Sequence, residues 1–201
     1  MKRTPFSQQL KQWLSGSGPK TVAALDDAFA EKSLAIAIML LLAVPALPIP
    51  TGGITHVFEI VAMLLCLELI AGRRSIWLPK SWRKRTLGQL TEKKVLPNIV
   101  RYIRWFEKFS RPRLSSYMRQ SLSLRLIGLV CLMLTIFAFV APPFSGLDTL
   151  PSLGVVIIML AVVLEDGLLL LIGAVVGFGG AGLIISLGSA IFIGLKHLLR
   201  L

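Results

Sequence analysis

Five apolar runs alternate with polar or helix-breaking stretches along the chain, at about 33–44, 54–71, 121–141, 153–164 and 168–195. Each exceeds the roughly ten alternating residues of a barrel strand or lacks that alternation, so the pattern predicts helices in a bundle. Residues 1–33 are mixed and polar. Residues 8–14 suit a short helix before the Ser-Gly-Ser-Gly-Pro break at 15–19, and Thr21 is placed to cap a second helix carrying Asp26, Asp27 and Glu31. Lys2 and Arg3 precede no apolar core, so this start does not read as a cleavable signal.

The runs are broken twice in the same manner. Ala43-Val44-Pro45-Ala46-Leu47-Pro48-Ile49-Pro50-Thr51-Gly52-Gly53 precedes an apolar stretch that reaches Glu68. Ala141-Pro142-Pro143-Phe144-Ser145-Gly146-Leu147-Asp148-Thr149-Leu150-Pro151 precedes one that reaches Glu165 and Asp166. Pro45 and Glu68 stand 23 residues apart, as do Pro142 and Glu165. Proline-broken backbone and carboxylates are costly in hydrocarbon and are accepted where they are buried in protein or line a polar cavity. Their recurrence in two halves points to a transport-like site. The expected architecture is therefore an all-α membrane protein: two helical repeats, each a Pro/Gly-broken hairpin that spans or re-enters, plus a C-terminal membrane helix. The hairpin breaks are assigned to Pro45, Pro48, Pro50, Pro142, Pro143 and Pro151.

Composition supports this reading: 55% of residues are hydrophobic and the mean hydropathy is +0.77. The net charge of +12 is concentrated, with 14 Lys/Arg between Arg73 and Arg119 against Glu92 and Glu107. A basic loop between apolar runs is a positive-inside signal and a contact for anionic headgroups, so no nucleic-acid partner is expected. Four segments follow: 1–33 cytoplasmic, 34–72 first membrane repeat, 73–120 basic and interfacial, 121–201 second repeat and C-terminal helix. Within the third, Trp77 before Leu78-Pro79 suits the headgroup layer, and Val95, Ile99, Ile103 and Phe106 give residues 95–109 an apolar helix face. The glycine cluster at 177–182 permits close helix approach or a local break. Cys66 and Cys131 lie in apolar runs and read as small hydrophobes.

The candidate binding residues are Glu165, Asp166, Glu68, Arg125, Glu59, His56 and Asp148. The intramembrane carboxylates suit proton or cation exchange, with Glu165-Asp166 the stronger pair, because Glu68 is five residues from Arg73. His56 and Glu59 share a helix face and suit a proton relay, while two such groups are too few for a metal site. Asp148, Thr51 and Ser145 are placed to cap N–H groups freed at the breaks. Arg125 is the candidate partner for an anion. No nucleophile–base set, phosphate loop or metal-ligand spacing is present, so no catalytic residue, cofactor or metal is assigned and the protein does not read as an enzyme.

Three blocks in this order resemble the ExoD exopolysaccharide-synthesis family: the first break with Leu67-Glu68-Leu69-Ile70-Ala71-Gly72-Arg73, then Ile76-Trp77-Leu78-Pro79, then the second break with Glu165-Asp166-Gly167-Leu168. Relative to that family's pattern, Glu68, His56, Glu59 and Asp148 are departures. The resemblance implies a multi-pass protein of the bacterial inner membrane, acting in exopolysaccharide synthesis or envelope biogenesis. The expected role is transport or handling of a lipid-linked anionic intermediate. A proton or ion transporter, and a non-transporting scaffold for synthesis enzymes, are the alternatives. Membrane lipids and a second copy of the chain are the expected partners.

Overall fold

The computed structural model describes residues 6–16, 18, 21, 24, 32–47, 54–73, 101, 103–105, 107–108, 120–142 and 145–198. Among these the chain forms α1 (Phe6–Ser15), α2 (Ser33–Leu42), α3 (Ile54–Ile70), α4 (Ser121–Val140), α5 (Thr149–Leu164) and α6 (Gly167–Leu198), with no strand. Thr21 makes the bond expected of a cap, its Oγ1 accepting from the Ala24 N–H at 3.1 Å. Trp77 and most of the basic loop, along with Pro48, Pro50, Thr51 and Pro143, lie outside the described residues.

Helices α2 to α5 form a ring. α2 packs against α3 and α5, and α4 packs against α3 and α5, so each hairpin's outgoing helix touches the other hairpin's returning helix. The interior is apolar: Ile38 and Leu42 of α2, Cys66 of α3, Leu134 of α4, and Met159 of α5 are all buried. Neighbours in the ring run antiparallel, which puts both proline breaks at one end. Lys32, Arg73 and Arg125 mark the other, basic end.

α6 lies along α5 and is continuous through its glycine cluster. The contact is backbone to backbone: a Cβ added at Gly154 would lie 2.4 Å from the Gly177 Cα, and one added at Gly173 would lie 2.8 Å from the Ile158 N. At Gly180 the neighbours are Leu150 and Pro151, whereas Gly179 and Gly182 face open space. The cluster therefore serves close approach and does not split the helix.

Pro151, assigned to a break, lies inside a helix. It is the third residue of α5, in the first turn, where a helix N–H has no carbonyl partner and proline loses nothing. Pro142 follows the end of α4, whereas Pro45 lies in backbone that continues helical bonding past α2, the Ala46 N–H donating to the Leu42 carbonyl at 3.0 Å.

α4 is 20 residues long and α6 offers a 24-residue apolar stretch, Gly167–Ala190; both are long and apolar enough to cross a membrane. Both helices leave large apolar side chains exposed, among them Leu122, Leu126 and Val140 on α4 and Leu171 and Val175 on α6. α2, at ten residues, spans about 15 Å and is too short to cross alone. α1 is tied to the middle of the chain: the Ser7 N–H donates to Glu107 Oε1 at 2.9 Å and the Ser7 hydroxyl donates to Glu107 Oε2. Leu10 and Ile103 are buried in the main core, while Arg101, Arg104 and Lys108 are exposed.

The α5–α6 contact gives a graded prediction. Gly154→Ala must move a backbone and lowers stability by about 1–3 kcal/mol. Gly177→Ala meets mainly the end of the Leu134 side chain and costs less. Gly179→Ala, in open space, is neutral or stabilising by up to about 1 kcal/mol through helix propensity. Thermal denaturation of the three variants in detergent checks the order.

Candidate functional site

The seven candidate residues separate into two groups at opposite ends of the ring. Glu165, Asp166, Glu68 and Arg125 belong to the basic end, and His56, Glu59 and Asp148 to the break end.

At the basic end α3 and α5 finish in the same way. The Arg73 N–H donates to the Glu68 carbonyl at 3.1 Å and the Gly72 N–H to that of Leu69 at 3.0 Å, with Gly72 at φ +80. In α5 the Asp166 N–H donates to the Ala161 carbonyl at 3.0 Å, and Glu165 takes the left-handed position at φ 58. Both are Schellman-type ends, and Glu165 holds the place at which glycine is the ordinary solution. Glu68 and Glu165, matched by their distance from proline, are therefore not structural equivalents. Glu68 lies four residues before Gly72, inside α3, while Glu165 is itself the equivalent of Gly72.

Each of these ends meets a cation from the other hairpin. Lys32 Nζ, at the start of α2, donates to the Val163 carbonyl at 2.6 Å and pairs with Glu165 Oε1 at 3.4 Å. The Arg125 guanidinium lies against Gly72, its Nη2 2.8 Å from where a Cβ would be. Positive charge at a helix C-terminus offsets the dipole and the unpaired carbonyls. Asp166 is accounted for in the same terms: its Oδ1 accepts from the Leu168 N–H at 3.0 Å, making it the N-cap of α6. Arg125 is exposed, placed at the end of the bundle and not within it.

The break end is different in kind. The His56 Nδ1–H donates to Glu59 Oε2 at 2.8 Å, and the His56 ring meets Phe139 of α4 edge-on at 5.2 Å. Glu59 is 0% exposed, and its Oε1 makes no hydrogen bond among the described residues. His56 is 28% exposed on its side chain, so the pair joins the bundle interior to its surface. Asp148, at the N-cap position of α5 but without a side-chain capping bond, is close enough for its charge to be felt at Glu59. Ser145 settles the turn before it, its hydroxyl donating to the Pro142 carbonyl at 2.6 Å and accepting from the Leu147 N–H at 3.2 Å.

Lys32, Thr55 and Ser152 went unread in the sequence. Ser152 on α5 is fully buried and its hydroxyl has no partner among the described residues, a property it shares with Glu59 Oε1. Counting back from the helix ends finds it: Glu59 precedes Gly72 by 13 residues and Ser152 precedes Glu165 by 13. Among the described residues no group of three or more His, Cys, Asp or Glu is arranged to hold a metal ion.

The exopolysaccharide-synthesis ExoD family model matches residues 6–186, which takes in every residue of both groups. This chain belongs to the ExoD family. That membership places it in exopolysaccharide synthesis and, with two helices able to cross a bilayer, at the membrane. Uncharacterized protein slr1875 of Synechocystis sp. (strain ATCC 27184 / PCC 6803 / Kazusa) is 27% identical over 184 residues, covering 90% of this chain and 82% of its own. No solved structure matches the chain.

The basic end yields a test that separates capping from charge. Asp166→Asn keeps an oxygen acceptor and stays near wild-type stability, whereas Asp166→Ala loses about 1 kcal/mol. Glu165→Gly is more stable than Glu165→Ala by about 1 kcal/mol, since both lose the Lys32 pair but only alanine keeps the left-handed cost. Chemical denaturation of the four variants in detergent reads both differences.

Proposed function

We propose that this ExoD-family protein is a small multi-pass transporter of the bacterial inner membrane that moves protons or another small cation in support of exopolysaccharide synthesis. The observation that carries this reading is the His56–Glu59 pair: a fully buried carboxylate with one oxygen held by a part-exposed imidazole and the other unpartnered. A structural ion pair would use both oxygens, because an unsatisfied buried acceptor is destabilising. A group that exchanges a proton or cation must be able to release it, and a partial partnership of this kind allows that. Asp148 adds a second carboxylate to the same end.

The two hairpins are, in this reading, two copies of one unit, related by the shared helix end and by the cation each lends the other. The basic end faces the cytoplasm, consistent with the 14 Lys/Arg between Arg73 and Arg119. The breaks then open towards the opposite side, and α6 closes the unit against lipid or a second copy of the chain. The role involves no covalent chemistry and no nucleic acid.

Handling of a lipid-linked anionic intermediate is the second reading. It is favoured by Arg125, an exposed cation on a helix whose Leu122, Leu126 and Leu129 are also exposed, the arrangement that receives an anionic headgroup beside its acyl chains. It uses the basic end, so the two readings depend on different residues.

Purified protein in liposomes carrying an internal pH-sensitive dye tests the first reading. Wild type collapses an imposed pH gradient; Glu59→Gln slows collapse by at least about tenfold, and His56→Asn reduces it less. Arg125→Gln leaves it unchanged. Equal rates for wild type, Glu59→Gln and empty liposomes would refute proton movement, and loss of polyprenyl-phosphate binding in Arg125→Gln alone would favour the second reading.

A further inference from the structure

Glu59 has a counterpart across the ring that the pairing with His56 does not use. Measured from the left-handed residues Gly72 and Glu165, Thr55 and Asp148 are equivalent at 17 residues, and Glu59 and Ser152 at 13. Each returning helix thus carries one carboxylate and one hydroxyl four residues apart, hence on one face, and in opposite order: hydroxyl then acid on α3, acid then hydroxyl on α5.

These faces point into the ring. On α3, Thr55 and Glu59 continue into the buried positions Ala62, Cys66 and Leu69 at helical spacing. On α5, Asp148 and Ser152 continue into Val155 and Met159, both fully buried. The face that meets α6 is another one, formed by Pro151, Gly154 and Ile158. α3 and α5 are the two returning helices, each held between α2 and α4, and the matching counts from Gly72 and Glu165 assign the four side chains the same register along their helices. Asp148 lies within electrostatic range of Glu59.

The two buried side-chain oxygens without hydrogen-bond partners among the described residues, Glu59 Oε1 and Ser152 Oγ, both belong to this set. Two independent hydroxyl or carboxylate orphans in one apolar bundle, one from each hairpin and at the same register, are not explained by folding, since each costs stability. We propose that Thr55, Glu59, Asp148 and Ser152 form one cation-binding position shared by both hairpins, and that its ligand is a hard monovalent cation of the sodium class. All four offer oxygen, which excludes soft metals. Two carboxylates with two hydroxyls are too few for the crowded carboxylate shell of calcium, and no metal-type cluster of three titratable ligands is formed among the described residues. Oxygen ligands near interrupted helices, at the interface of two units, are how membrane transporters hold sodium or protons. His56, part-exposed on the outer side of Glu59, competes with the cation for the carboxylate and lies on its route to the break end.

The inference rests on the transport reading above and names its ion, so the test separates the two. Thermal denaturation of the full chain in detergent is followed while sodium chloride replaces choline chloride at constant total chloride. Wild type and Arg125→Gln rise in Tm along a saturable sodium curve. Ser152→Ala and Asp148→Asn need at least about fivefold more sodium for the same rise. Glu59→Gln shows no sodium-specific rise. In choline, Ser152→Ala is as stable as wild type or more so, because it deletes an unpartnered hydroxyl. A lower Tm there would show Ser152 to be bound elsewhere and would overturn the shared site, as would a wild-type sodium midpoint in Ser152→Ala. Proton flux that depends on Glu59 together with identical wild-type curves in sodium and choline would remove sodium and leave the transport reading standing.

Discussion

The architecture depends on how two helix ends are closed. α3 and α5 both finish on a left-handed residue, Gly72 and Glu165, and each end is met by a basic side chain from the opposing hairpin, Arg125 and Lys32. A helix C-terminus leaves four carbonyls without intrahelical partners, and in an apolar surrounding they must be answered by side chains or by a tight reversal. Both devices are used here at once. Because the answering cation comes from the other hairpin, satisfying the ends also fixes the register of one hairpin against the other.

That register determines what happens about 20 Å away, thirteen residues up each helix. Once Gly72 and Glu165 are level, Glu59 and Ser152 share one register, which is the basis of the proposed shared position in the ring. The backbone contact of Gly154 with Gly177 serves the same end from outside. It presses α6 on one face of α5 and so keeps the neighbouring face, with Asp148 and Ser152, turned inward. Stability and site are thus set by the same contacts: among the described residues, the buried side-chain oxygens without hydrogen-bond partners lie towards the break end.

Much of this was legible in the sequence. The apolar runs gave the helices to within a few residues, the proline at 142 marked the end of α4, and the His56–Glu59 spacing gave a hydrogen bond. The equivalence of Glu68 and Glu165 was misread for a physical reason. Proline marks where a helix is broken, yet the two breaks differ in length by four residues when measured to the common helix end, so a count from proline slips by about one turn. The true marker was hidden because one of the two left-handed positions carries glutamate in place of glycine. Pro151 misled in the same way, since a proline in a first helical turn looks, in sequence, like one in a break. Ser152 carried no signal at all by itself; a lone serine in an apolar run is ordinary until its register is known.

The glutamate at position 165 shows how the two ends divide their work. Left-handed backbone costs a side-chain-bearing residue about 1–2 kcal/mol, and glycine would avoid it. The carboxylate there instead holds Lys32, which also binds the Val163 carbonyl, so α2 is pinned to α5 although α2 is only ten residues long. A short helix with few residues to bury gains from such a clamp more than a long one does. α4, twenty residues long, manages with Arg125 resting on a glycine. The acid at 165 therefore reads as the residue that lets a short first hairpin stand level with a long second one. The acid at 59, with one oxygen unpartnered among the described residues, is the one the proposed site uses.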